Sequence, residues 1–241
     1  MFEILSYGVL AGLATTLGAL IVVLFGRPGD RTIAAFLGLA AGVMLAVVGF
    51  DLLPSAFFNG GWCETLLGFG CGVMLIWCLD QVITLTMATV TPSRVSMIKI
   101  GYLIAIGIAI HDLPEGIAIA VGYAATERLG LAIAVGIGLH NVPEGMATAA
   151  PLWMGGLSAP RILAITLLLS LMTPIGTTIG MGLASFVPEF LAFLLALAAG
   201  AMSYLVKVEL WPEARQRHFP LAVLGFTIGV VLIFLLTIYY Y

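Results

Sequence analysis

A chain of 241 residues that is 62% hydrophobic and only 9% charged, with a mean hydropathy of +1.18, is excluded from the soluble globular class. The net charge of −3 identifies no partner, because the charges sit in connecting segments and in one cluster inside apolar sequence. No nucleic-acid partner is expected, and membrane lipid is.

Met1-Phe2-Glu3 lacks a basic region, and the run after it is long enough to span, so no removable leader is expected. The hydropathy pattern predicts eight spans. The first covers about 4–25 and ends at Arg27-Pro28-Gly29-Asp30-Arg31. The second, about 32–50, stops at Asp51-Leu52-Leu53-Pro54. The third, about 63–89, contains Asp80 and Gln81 and ends before Thr91-Pro92-Ser93-Arg94. The fourth and fifth cover about 98–122 and 129–151. The sixth, about 160–186, is predicted to break at Thr173-Pro174-Ile175-Gly176. The seventh, about 190–211, closes in Lys207-Val208-Glu209-Leu210-Trp211-Pro212-Glu213. The eighth runs from about 220 to Tyr239–Tyr241, an aromatic anchor. No polar stretch is long enough for a second domain, so residues 1–241 read as one all-α transmembrane domain.

Assigned to alternate connections, Arg27, Arg31, Arg94, Lys99, Arg161, Lys207, Arg215 and Arg217 fall on one side and only Arg128 on the other. The positive-inside rule then places both termini outside the cell membrane.

The chemistry sits in the fourth and fifth spans, at His111-Asp112-Leu113-Pro114-Glu115-Gly116 and His140-Asn141-Val142-Pro143-Glu144-Gly145. Histidine and glutamate four residues apart share a helix face. On a 3.6-residue period Glu115 falls about 40° from His111 and Asp112 about 100°, so each glutamate stands between its polar neighbours. Each proline leaves the carbonyl four residues earlier, Ile110 or Leu139, without its helical partner. Residues 107–120 align with 136–149, and because the two spans run antiparallel the repeat is inverted, as in secondary transporters. Small-residue pairs such as Gly8/Gly12 and Gly176/Gly180 permit close helix packing and identify no function.

Ionisable residues at membrane depth need a reason. His111, Glu115, His140 and Glu144 form an N2O2 set suited to Zn2+, and carboxylates widen the range toward Mn2+ and Fe2+. Asp112 adds a third negative charge and with Asn141 can hold a second cation or a proton. A lone membrane histidine is more often a hydrogen-bond partner between helices; two matching copies weigh against that reading. Asp80 stands evenly between a buried polar partner and a pathway residue. Asp51, Glu209 and Glu213 read as solvated carboxylates at span ends, with vestibule roles as the second reading, and His218 reads as a loop residue. Cys63, Cys71 and Cys78 read as small residues of a packed helix, not as a disulfide framework or thiolate site.

With these residues in view, the sequence resembles the ZIP family of divalent metal transporters, in particular its small bacterial members. The resemblance rests on the two motifs, the Thr-Pro-Ile-Gly segment of the sixth span, and Val-Glu-Leu-Trp-Pro-Glu at the end of the seventh. It implies a 3+2+3 bundle in which spans one to three and six to eight are related by a pseudo-two-fold axis. A homodimer and elevator-like sliding of a transport domain holding spans four and five are further implications. The family commonly has Asn where Asp112 stands, and many bacterial members have Glu where Thr173 stands; an acid is gained at one position and lost at the other. The resulting expectation is import of a divalent metal into the cytoplasm, zinc first, with Cd2+, Fe2+ and Mn2+ also fitting the ligands, and with no enzymatic activity. An intramembrane zinc hydrolase is the alternative, disfavoured because no HExxH occurs and no carboxylate is left as general base.

Overall fold

The computed structural model describes residues 2–26, 29–87, 94–186 and 190–240. Among them are nine α-helices: α1 Phe2–Phe25, α2 Asp30–Val47, α3 Leu53–Met87, α4 Arg94–Ala125, α5 Glu127–Met154, α6 Ala159–Leu169, α7 Met172–Phe186, α8 Leu191–Leu205 and α9 Trp211–Tyr240. Six helical stretches are long and apolar enough to cross a membrane: Phe2–Phe25, Asp30–Cys78, Met97–Ala125, Ala159–Ser185, Leu191–Val208 and Trp211–Leu235. α5 is not among them, because His140, Asn141 and Glu144 interrupt its apolar run. Residues 27–28 and 88–93, which carry expected turns, lie outside the described residues.

Two helix groups are held by glycine contacts. α2 packs along α9, where Gly38 and Gly42 lie against the carbonyls of Ala222 and Phe226, and Gly225 and Gly229 against those of Ala35 and Leu39. α3 packs along α8 in the same manner, through Gly68, Gly72 and Gly200. The second group joins α4 and α5 side by side, with α1 on α5 and α7 on α4. Backbone contact of this kind lets helices associate where apolar side chains gain nothing over lipid.

Between α2 and α3 the chain makes a π-helical turn, Val48–Leu52, and between α8 and α9 a second one, Val206–Leu210. The cause is local. Pro54 and Pro212 have no N–H to return one turn back, and the preceding amide reaches five residues instead, Leu53 to Val48 and Trp211 to Val206. A shift of 158 residues carries one turn onto the other, and equally carries Thr15 onto Thr173, Gly18 onto Gly176 and Gly42 onto Gly200.

Both chain ends lie at the end of the bundle that carries the α4–α5 turn. Tyr123 donates to Glu3 at 3.2 Å, and Arg128 donates to the Thr237 carbonyl at 2.6 Å.

Three expectations are corrected. The sixth span breaks at Ser170-Leu171, between α6 and α7, and not at 173–176. Pro174 belongs to the first turn of α7, where its missing N–H is harmless, while its ring excludes the Ser170 carbonyl from helical bonding. His218 is no loop residue: it is the extended kink within α9 (φ −161°, ψ 93°), and its Nδ1 accepts from the Leu221 amide at 3.3 Å, capping the continuation. Cys63, Cys71 and Cys78 are exposed, on the face of α3 turned away from α8, beside exposed Leu67 and Met74.

Candidate metal site

α4 and α5 are antiparallel because the link between them is one residue. Thr126, extended at φ −153°, accepts from the Leu129 amide at 3.1 Å and starts α5. Both motifs then fall inside long helices, with Pro114 and Pro143 within them. Their flanks are symmetric. A Cβ at Gly116 would overlap the Thr173 carbonyl of α7, and one at Gly145 would overlap the Thr15 carbonyl of α1. Reciprocally, Gly176 lies on the Leu113 carbonyl and Gly18 on that of Val142. Each motif turn is therefore clamped by one flanking helix at backbone distance.

His140 is fully buried and stands between the two glutamates. Its Nε2 is 3.1 Å from Glu115 Oε2 and 3.6 Å from Glu144 Oε1. Nδ1 lies 3.3 Å from the Gly136 carbonyl, which can only accept, so Nδ1 carries the proton there and orients the ring. Nε2 of that tautomer presents a lone pair to two carboxylates, unless it is protonated and donates to Glu115. Facing lone pairs at this depth are unfavourable unless a cation or proton lies between them. An ion about 2.0–2.2 Å from each ligand sets neighbouring ligand atoms about 3.0–3.6 Å apart, from right-angled to trigonal arrangements. Both separations fall in that range.

The side chain of His111, the fourth expected ligand, lies outside the described residues. Among the described residues no three His, Cys, Asp or Glu side chains form a metal cluster. Asp112 and Asn141 are fully buried, and Asp112 lies within electrostatic reach of His140. Asn141 Nδ2 donates to the Ala11 carbonyl at 2.9 Å, which fixes that amide to α1 and leaves Oδ1 without a partner. Thr173 is fully buried and its hydroxyl makes no hydrogen bond.

The structure separates the remaining pathway expectations. Asp80 accepts from the Tyr204 hydroxyl at 3.0 Å, a polar link between α3 and α8. Asp51 is only 7% exposed, in the first π-turn, beside the Arg128 guanidinium and the Thr237 hydroxyl. It is thus no solvated carboxylate, because the proline-widened turn directs it inward. The Glu209 side chain lies outside the described residues. Glu213 is half exposed and pairs with Arg217, which also holds Asp30 at 2.6 Å.

Sequence reasoning missed Thr15, the counterpart of Thr173 on the α5 side. The signal was present as the 158-residue shift that superposes Thr15…Gly18 on Thr173…Gly176.

The profile of the family described as "ZIP Zinc transporter" matches residues 88–237. The chain is 34% identical to the zinc transporter ZupT of Chlorobium luteolum, over 92% of this chain and 91% of that one. It is 36% identical to the zinc transporter ZupT of Corynebacterium glutamicum, with 85% and 86% covered. To the zinc transporter ZTP29 of Arabidopsis thaliana it is 34% identical, with 89% and 85% covered.

Proposed function

The chain belongs to the ZIP family of zinc transporters, and on that footing we propose that it carries zinc and related divalent ions across the membrane through the paired motif of α4 and α5. It is a multi-pass membrane transporter and not an enzyme; the hydrolase alternative finds no support among its relatives. The observation that carries the placement of the ion is His140 Nε2, fully buried, set 3.1 Å from Glu115 Oε2 and 3.6 Å from Glu144 Oε1. Glu144 and His111 complete the ligand set, and Asp112 supplies the charge that Thr173 does not. Zinc uptake into sealed proteoliposomes, with Cd2+, Fe2+ and Mn2+ as competitors, tests the reading; no uptake by inserted protein defeats it. Asp112→Asn is expected to bind fewer ions per chain than the parent by elemental analysis, and an unchanged ratio removes Asp112 from ion binding.

Eight spans in a 3+2+3 arrangement account for the repeat best. α1–α3 and α6–α9 share the 158-residue register, two π-turns and matching glycine contacts, with α4 and α5 between them. The group that clamps the motifs (α1, α4, α5, α7) is the natural sliding unit of an elevator, and α2, α3, α8 and α9 the frame. A homodimer, tested by mass in detergent, belongs to the same reading. The basic bias puts both termini outside, and import is the expected direction of transport. Cysteines introduced at 91–97 and near 215 should then be labelled only from the cytoplasmic side, and one near 59 only from outside. Cys63, Cys71 and Cys78 must first be replaced, since all three are exposed. Reversed labelling at any site refutes the topology.

A further inference from the structure

A hydroxyl inside a helix has a ready partner in the carbonyl one turn back, and Thr65, Thr166, Thr177, Thr178 and Thr227 all use it. Thr15 does not. It is fully buried on α1, and its hydroxyl makes no hydrogen bond. The carbonyl one turn back, that of Ala11, is occupied instead by Asn141 Nδ2 at 2.9 Å. Helical side chains lean toward the N-terminus, which carries the Thr15 hydroxyl onto the turn where the Asn141 amide sits. Asn141 Oδ1 is itself buried and without a partner. Two unmatched oxygens thus stand on the two helices that the Asn141–Ala11 hydrogen bond joins, and Asn141 adjoins His140, whose Nε2 faces the two glutamates.

Leaving both dry is unfavourable, and an additional anionic ligand is not what they call for. Both accept hydrogen bonds. A water bonded to a cation points its protons away from the ion and needs two acceptors. We infer that Thr15, together with Asn141 Oδ1, holds a metal-bound water beside the paired motif, so that the transported ion keeps one water during its stay. Thr15 is a positioning residue that acts on the ion through this water. The inference rests on the placement of the ion at Glu115, His140 and Glu144. Its consequence is specificity: a retained water favours ions that accept more than four ligands, such as Mn2+ and Fe2+, over an ion closed tetrahedrally by protein groups.

The test uses the full chain in detergent with Co2+ alone as the probe, because its visible band is weak at five- or six-coordination and intense in a tetrahedral field. The parent protein is expected to show the weak band. Thr15→Val, which matches threonine in shape and removes an unmatched hydroxyl, is expected to bind the same number of Co2+ ions and to show the intense tetrahedral band. Thr15→Ser is expected to retain the parent spectrum, and its comparison with Thr15→Ala carries the test if valine perturbs the packing. Identical spectra for the parent and Thr15→Val overturn the inference, as does a tetrahedral band already present in the parent. Loss of Co2+ binding in a Thr15→Val protein that melts like the parent also overturns it, since the hydroxyl would then be a direct ligand. Glu115→Ala separates the two readings. If it binds Co2+ as tightly as the parent, the placement of the ion at the motif fails, and this inference with it. If it loses the ion while Thr15→Val leaves the spectrum unchanged, only the role of Thr15 fails.

Discussion

Glu115→Ala is expected to abolish zinc uptake, lowering the initial rate by about 100-fold or more at matched membrane insertion, since losing even an outer-shell partner of a metal ligand costs about 10–100-fold. Glu115 is 3% exposed and its Oε2 is 3.1 Å from His140 Nε2, closer than Glu144 Oε1. Without it a divalent ion keeps one carboxylate fewer in a buried place, and a neutral water does not replace the lost charge. Glu144→Ala has the same direction and a smaller size, because Glu144 is 12% exposed and stands 3.6 Å from the same nitrogen. Glu115→Gln separates charge from shape: it keeps the volume and loses the charge, and is expected to be as inactive as the alanine variant. Uptake of 65Zn by reconstituted protein, normalised to inserted protein, measures all three. Near-normal uptake by Glu115→Ala would remove the motif from the mechanism.

Gly145→Ala is expected to lower both stability and uptake, through a methyl group that touches no ligand. The added Cβ would overlap the Thr15 carbonyl, which is backbone and cannot turn aside. α1 and α5 must then separate, at about 1–3 kcal/mol by the usual penalty for overpacking. The Asn141–Ala11 hydrogen bond at 2.9 Å lies one turn away and is strained by the same movement. Gly138→Ala is the control on the same helix. Its Cβ would meet only the Ala11 Cα at 3.6 Å, an ordinary contact. Removing a helical glycine there is neutral or stabilising by about 0.5–1 kcal/mol. Thermal melting in detergent together with zinc uptake decides the matter. Equal melting temperatures and uptake for the two variants would show that the close approach at Gly145 is unnecessary.

The sequence by itself determined whatever depends on local geometry. Histidine and glutamate four apart share a face on any helix, so the pairing of His140 with Glu144 was legible at once. Proline chemistry likewise marked Pro114 and Pro143 as places where helical bonding is disturbed. Hydropathy marked the apolar segments, and only α5 fell short, where the site itself dilutes the run. What the tertiary structure decided depends on which backbone lies opposite. That Glu115 of α4 reaches closer to His140 than Glu144 of its own helix is set by the α4–α5 contact. The helix break at Ser170 and not at Thr173 follows from the carbonyl four residues before Pro174, on which Gly12 of α1 also packs. Asp51 had the composition of a solvated span end, and the π-turn with Arg128 from a distant helix made it buried. Thr15 looked like any threonine of an apolar run until the Asn141 amide was found on the carbonyl its hydroxyl would otherwise use. Local periodicity specifies the face of one helix and leaves open what that face meets; here that is settled by glycines that bring particular backbones into contact.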